Sequence, residues 1–337
     1  MKQLLMGCLC LVLLAGCSSA SRKEVNQPQG NEVVESTITV IDQSGREVSL
    51  DGIAETVASG YYISTTALIG MGQADKLVGV EMKPETRLIY KEAAPQILEL
   101  PQLGNKKSFN VEECAKADPD VVFLPVALEG YVDELEALEI PVILLEPETQ
   151  KGYREMLEIM GTVLGCSDRI ERYLEYEAMI EEKFKVENAE EPTVYFAGND
   201  VLSGAVSGMF QNEIIEYAKA NNILNIEGKK WAEINVETLI EANPDVIFVE
   251  NGSLTVESFT EDERFQDLKA VQNEQVYLFP SALETWDTPG LSSILGKIYA
   301  AAVINPDKIE MSSVIEEAKN FYQEFFGFDA SEYFVGL

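Results

Sequence analysis

The chain is 337 residues long, 46% hydrophobic and 25% charged, a globular composition with room for two ordinary domains that excludes a disordered chain or a small cross-linked scaffold. Its 25 Lys and Arg stand against 58 Asp and Glu, a formal charge of −33, so nucleic acid and anionic membrane surfaces are poor partners: counterion release needs a basic face. Histidine is absent, which removes Ser-His-Asp and Cys-His catalysis, His-ligated zinc or nickel and His-ligated haem together.

Met1-Lys2-Gln3 is a short cationic start, and Leu4 to Ala15 is apolar but shorter than the roughly twenty residues that span a bilayer, so residues 1–16 read as a signal peptide. The run ends Leu14-Ala15-Gly16-Cys17, which resembles the bacterial lipoprotein box. That likeness implies cleavage before Cys17, lipidation of its thiol and attachment to the cell membrane, outside the cytoplasm, through the lipid alone. Residues 17–32, with Ser, Asn, Gln, Pro and Gly, read as a flexible tether. Cys8 and Cys10 leave with the signal peptide. Cys114, inside an apparent helix, and Cys166, just before another, read as buried free thiols rather than a disulfide or metal site.

A duplication organises the rest. Asn110-Val-Glu-Glu-Cys-Ala-Lys-Ala-Asp-Pro-Asp-Val-Val-Phe-Leu124 recurs, at a constant offset, as Asn235-Val-Glu-Thr-Leu-Ile-Glu-Ala-Asn-Pro-Asp-Val-Ile-Phe-Val249. Each copy reads as a short helix, a Pro-Asp break and an apolar strand buried on both faces. After the first come a helix, Val132 to Leu138, and a strand, Val142 to Leu145; after the second come Phe265 to Ala270 and then Val276 to Phe279. Strands alternating with helices imply two α/β lobes with parallel sheets, placed at 33–152 and 189–337. Between them, residues 153–188 carry Met156, Ile159, Met160, Val163 and Leu164, then Ile170, Tyr173, Leu174, Ile180 and Phe184, at helical spacing. The expected fold is two Rossmann-like lobes joined by a single long helix, with a ligand cleft where strand ends of both lobes meet.

Thr37-Ile-Thr-Val-Ile-Asp-Gln-Ser-Gly-Arg-Glu-Val-Ser-Leu50 resembles the opening hairpin of the ABC-transporter solute-binding proteins for iron complexes and cobalamin. Thr56-Val-Ala-Ser59, Ala67-Leu-Ile-Gly-Met-Gly72, Asp75-Lys-Leu-Val-Gly-Val80, Gly104 through Pro119-Asp120, Asn235 to Asp245 and Trp286-Asp-Thr-Pro289 continue the likeness in the family's order. The resemblance implies a monomeric, non-enzymatic protein without a cofactor of its own. Such a protein takes a small-molecule metal chelate in its cleft, moves little on closing, and delivers the chelate to an ABC permease with its ATPase. Glu112 and Glu237, at equivalent positions of the repeat, match the family's two glutamates that dock onto permease arginines.

The loops before those helices, Gly104-Asn-Lys-Lys-Ser-Phe109 and Gly228-Lys-Lys-Trp-Ala-Glu233, each carry a Lys pair. In the family they border the cleft, so Lys106, Lys107, Phe109, Lys230 and Trp231 are candidate ligand contacts. Trp231 matches a cleft tryptophan of cobalamin-binding members, whereas the equivalent place in the first lobe is Lys106. That departure, with four lysines about one mouth, favours an anionic ferric siderophore over a corrinoid. Strand ends add Tyr61, Tyr62, Met82, Lys83 and Arg87, with Arg87 suited to hold a carboxylate or catecholate bidentately, and, in the second lobe, Asn199, Met209 and Phe210. Trp286 in the last crossing loop completes the set, with both tryptophans expected at the cleft and some of these aromatics in the core. Direct contact with the metal is left open.

Cobalamin or another corrinoid is an alternative ligand, as is haem, for which Tyr61, Tyr62 or Met82 would supply the axial contact. An extracytoplasmic enzyme on the same scaffold lacks histidine and any Gly-x-Ser-x-Gly, although 58 carboxylates leave room for a catalytic pair. A structural or adhesive lipoprotein would need neither the paired glutamates nor a cleft tryptophan, and its cleft would be filled by side chains.

Overall fold

The computed structural model describes residues 37–187, 191–228, 230–335 and 337. The signal peptide, Cys17, the tether, Lys229 and residue 188 of the expected linker lie outside the described residues. An antiparallel hairpin, β1 (Ile38–Ile41) and β2 (Glu47–Leu50), opens the chain. Its turn residue Asp42 is buried and accepts from the backbone N–H groups of Ser44, Arg46 and Leu144, which ties the hairpin to the first lobe.

That lobe runs through β3 (Val57–Ser59), α1 (Tyr62–Gly70), β4 (Leu77–Gly79), α2 (Leu88–Ala93), the small hairpin β5 (Gly104–Asn105) and β6 (Ser108–Phe109), α3 (Val111–Ala117), β7 (Val121–Pro125), α4 (Val132–Glu136) and β8 (Val142–Leu145). Its sheet is parallel, in the order β4-β3-β7-β8.

The connection, expected as one long helix, is two: α5 (Gln150–Leu164) and α6 (Ser167–Lys183). Gly165 adopts φ +67°, the left-handed cap that ends α5. The apolar spacing continues across this break because both helices bury one face, Met156, Met160 and Val163 on α5 and Ile170, Tyr173 and Ile180 on α6.

The second lobe comprises β9 (Thr193–Ala197), β10 (Ser203–Gly204), α7 (Phe210–Tyr217), β11 (Asn221–Asn222), β12 (Ala232–Glu233), α8 (Val236–Ala242), β13 (Val246–Val249), α9 (Glu257–Thr260), α10 (Lys269–Gln272), β14 (Val276–Leu278), α11 (Ser293–Ile304) and α12 (Met311–Phe321). Phe265, expected to open a helical stretch, is a buried residue of the turn before α10. β11, β9, β13 and β14 pair in parallel, repeating the strand order of the first lobe, while β10 and β12 add an antiparallel ribbon.

The duplication is physical as well as textual. Asn110 caps α3 by accepting from the Glu113 N–H at 3.1 Å, and Asn235 caps α8 by accepting from the Thr238 N–H at 2.8 Å. Both helices end in a left-handed residue, Asp118 at φ +50° and Asn243 at φ +43°, types that tolerate this conformation. The Asp that follows each Pro then clamps the neighbouring strand: Asp120 accepts from the Thr56 N–H and Asp245 from the Thr193 N–H, both at 2.8 Å. In each copy alternate strand residues face opposite cores. Val121 and Phe123, with Val246 and Phe248, join one core shared by both lobes and the linker helices. Val122 and Leu124 face α3 and α4, and Ile247 and Val249 face the outer layer of the second lobe. A parallel sheet covered on both faces explains the unbroken apolar runs.

Candidate ligand cleft

A cavity of about 390 Å³ lies between the lobes. The first lobe lines it with Tyr62, Thr66 and Arg87, and the second with Asn251 and the segment 281–292 between β14 and α11. This is the crevice beyond the carboxyl ends of parallel strands in which open α/β sheets hold ligands.

On the first-lobe wall, Tyr62 opens α1 and Arg87 stands just before α2. The guanidinium lies 4.3 Å from the centroid of the Tyr62 ring, a cation–π contact, and its Nε donates to Glu81 Oε1 at 3.1 Å. Glu81 is buried and also accepts from Thr65 Oγ1 and Tyr90 OH, each at 2.7 Å. The terminal nitrogens of Arg87 make no hydrogen bond among the described residues, so a fork of donors is presented on a fixed stem. Burial, with Glu148 close by, pushes the Tyr62 hydroxyl up to about 12.

The second-lobe wall is the crossing loop. A Cβ at Gly296 would stand 2.1 Å from the Trp286 carbonyl oxygen, so glycine lets α11 pass directly beneath the loop. Gln211 on α7 donates to the Asp287 carbonyl at 3.0 Å and holds the loop from the side. Glu284 borders the cavity, with Ser292 and Tyr322 beside its carboxyl. Burial pushes Glu284 up to about 7 against the opposing pull of Arg87 across the cleft. Asp287, 1% exposed, is pushed up to about 7 by burial and by Glu250, and Glu250 is itself raised by burial.

Of the residues expected from sequence, Tyr62 and Arg87 line the cavity. Tyr61 is buried next to it, its ring edge-on to Tyr62 at 5.1 Å, and donates its hydroxyl to Glu148 at 2.9 Å. Trp286 corrects the expectation that both tryptophans face the cleft. It is 2% exposed, stacks on Phe334 and donates its indole N–H to Tyr322 OH at 3.1 Å, because the loop turns its large apolar ring into the shared core. Trp231 is half-buried against Phe196 and covers Gly198, where a Cβ would meet it at 2.7 Å. Phe109 and Phe210 are core residues, and Met209 packs against the core at the start of α7. Lys106 and Lys107 are exposed at the turn between β5 and β6, and Lys230 is exposed too. None of the three borders the cavity, so the expected lysine-rich mouth is corrected: long cations are most favourably solvated. Met82, Lys83 and Asn199 are exposed and do not line it either. Sequence reasoning missed Glu81, Glu250, Glu284 and Asp287, which carry no spacing signal among 58 acidic residues; Asp287 lay inside the Trp286-Asp-Thr-Pro289 motif without being singled out.

Two α/β lobes with a crevice between them, lined by Arg87 of one and Glu284 of the other, define a bilobal ligand-binding protein. Residues 57–283 match the periplasmic binding protein family, and the chain belongs to it. The molybdate-binding protein MolA of Haemophilus influenzae is 20% identical over 317 residues, covering 85% of this chain and 90% of the relative. The uncharacterized ABC transporter substrate-binding lipoprotein YvrC of Bacillus subtilis is 23% identical over 320 residues, covering 89% and 95%. The crystal structure of a periplasmic solute binding protein from Veillonella parvula superposes with a TM-score of 0.76 at 22% identity, covering 87% of this chain and 94% of that one, a likeness of fold.

Proposed function

We propose that this protein is the substrate-binding lipoprotein of an ABC importer, anchored outside the cell membrane through Cys17, and that it captures a compact iron chelate of the siderophore type for its permease. The observation that carries this reading is the interlobe cavity of about 390 Å³, at which Arg87 is stacked on Tyr62 and held by Glu81. A planar guanidinium over an aromatic ring offers two parallel donors to a hydroxamate, catecholate or carboxylate edge. Among the described residues no group of three or more acidic or thiol side chains is placed to hold an ion, which favours a metal arriving inside its own chelator. The volume is at the small end of ligand sites, which run from roughly 300 to 1,000 Å³, and favours a compact chelate over a corrinoid. Of the candidate haem ligands the Tyr61 hydroxyl is engaged by Glu148 and Met82 is 43% exposed, away from the cavity, which leaves Tyr62 alone to supply an axial contact. Glu112 and Glu237, exposed on the first turns of α3 and α8, supply one docking carboxylate per lobe. No helix among the described residues is long and apolar enough to cross a membrane.

The test is calorimetric titration of the full chain in detergent with ferric hydroxamate and catecholate siderophores, molybdate, haem and cobalamin. Saturable binding of a ferric siderophore, weakened at least tenfold by Arg87→Ala, is expected from the loss of a charge-assisted bidentate contact. Binding of molybdate, haem or cobalamin with no siderophore bound would overturn the iron-chelate reading.

A further inference from the structure

The buried side-chain polar atoms without a hydrogen-bond partner, among the described residues, are Glu250 Oε2, Glu284 Oε1, Asp287 Oδ2 and Tyr153 OH. Three are carboxylate oxygens on one side of the cleft: Glu250 directly follows β13, and Glu284 and Asp287 sit in the crossing loop that forms the second-lobe wall. They act on the cavity from there. Glu284 lines it and interacts electrostatically with Arg87 of the opposite wall, while Asp287 and Glu250 interact with each other and with Tyr62. Tyr153, the fourth, interacts with Glu284.

Native proteins leave few buried polar atoms unpaired; of these three acceptors Glu284 borders the cavity itself, while Asp287 and Glu250 are not among its lining residues. Once ionised, a carboxylate oxygen can only accept, so what completes Glu284 in that state must donate. Arg87 does not serve: it is held on its own wall by Glu81 and forms no ion pair with Glu284. An ammonium group brings three donors and a positive charge on one small centre, which suits an ionised, unpartnered carboxylate oxygen as a purely oxyanionic ligand does not.

We infer that the second-lobe wall selects a chelate bearing a positively charged amine arm, with Glu284 as the specificity-determining residue that receives the ammonium while Arg87 holds the oxygen-rich face of the same ligand. This rests on the iron-chelate reading above and adds to it the sign of charge at one end of the ligand. The inference also sets the direction of a pH effect. An ionised carboxylate holds an ammonium, so affinity rises between pH 6 and pH 8 as Glu284 loses its proton near 7, with Asp287 in the same loop gaining charge over the same range. The groups facing them act with this change or do not titrate in that range. Glu250 is raised in the same direction, burial holds the Tyr62, Tyr153 and Tyr322 hydroxyls above it, and the Arg87 guanidinium lies opposite.

Ferrioxamine B, a ferric trihydroxamate with a pendant ammonium, and its N-acetylated form differ at that arm only and serve as a matched pair for calorimetry on the full chain. The free amine is expected to bind on the order of tenfold tighter at pH 8, with the preference shrinking at pH 6 and disappearing in Glu284→Gln. That variant replaces an oxygen by an isosteric amide, and the pH comparison on the unaltered chain does not depend on it. Equal affinity for the two chelates would overturn the inference and leave the chelate reading standing. Binding of neither chelate, while molybdate, haem or cobalamin binds and no other siderophore does, would overturn both; binding of a ferric catecholate alone would overturn the inference and leave the chelate reading standing.

Discussion

The two walls of the cleft treat a buried carboxylate in opposite ways. In the first lobe Glu81 receives donors from Thr65, Tyr90 and Arg87, so its charge is satisfied and in turn fixes the Arg87 side chain. In the second lobe Glu250, Glu284 and Asp287 each keep an unpartnered oxygen. Burial acts on both walls, and hydrogen bonding decides the outcome. A satisfied carboxylate becomes part of the framework, whereas unsatisfied ones oppose folding and store an attraction for a ligand that can complete them.

Breaking the satisfied wall has the largest expected effect. Glu81→Ala removes the acceptor of three donors, two of them on buried side chains, and is expected to destabilise the protein by about 3 kcal/mol in urea unfolding. A loss below about 1 kcal/mol would show that the first-lobe wall is not held by this network.

The unsatisfied wall predicts the reverse response to acid. Glu284 is raised from 4.5 to about 7 and Asp287 from 3.8 to about 7, so between those limits the folded chain binds more protons than the unfolded one. Stability contributed by these groups therefore rises as pH falls from 8 towards 5. Relative to the Glu284→Gln, Asp287→Asn double variant, the ligand-free chain is expected to gain on the order of 5 kcal/mol over that interval. The double variant is expected to be the more stable protein at pH 8. Parallel pH profiles for the two proteins would show that neither carboxyl is perturbed. Using the difference removes the contribution of the remaining acidic residues, which both proteins share.

The smallest expected effect on folding is outside both walls. Glu112 pairs with Lys116 at 3.0 Å in an exposed contact, and Glu237 is exposed on α8. The double change Glu112→Lys, Glu237→Lys is expected to alter stability by less than about 0.5 kcal/mol and leave ligand affinity intact, yet to stop uptake of labelled ferric chelate by cells that depend on this protein. Unimpaired uptake would remove the docking role.

Much of the fold was legible in the residues because its signals are local. Asn110 and Asn235 cap, Asp118 and Asn243 end their helices, and the apolar runs after Pro119 and Pro244 are strands buried on both sides. The repeat of this unit was enough to read two α/β lobes. The break in the linker was written at Gly165 but masked by an apolar period that both helices continue.

The cleft was legible in part. Tyr62 and Arg87 could be placed because side chains just past strand ends face the crevice whatever the detailed packing. Whether an aromatic near a strand end faces the ligand or the core depends on what stands behind it. Trp286 was sent to the core by Phe334 and Tyr322, and Trp231 was laid on Phe196, partners more than thirty residues away in sequence. The acidic wall was the least visible. One carboxylate among 58 is marked only by burial and by the donors it lacks. The sequence by itself determined the elements, their repeat and the two-lobed plan, because capping, turn chemistry and strand patterning act over a few residues. The tertiary structure alone decided which acids lose water without gaining partners, because desolvation and hydrogen bonding are set by everything that packs around a side chain.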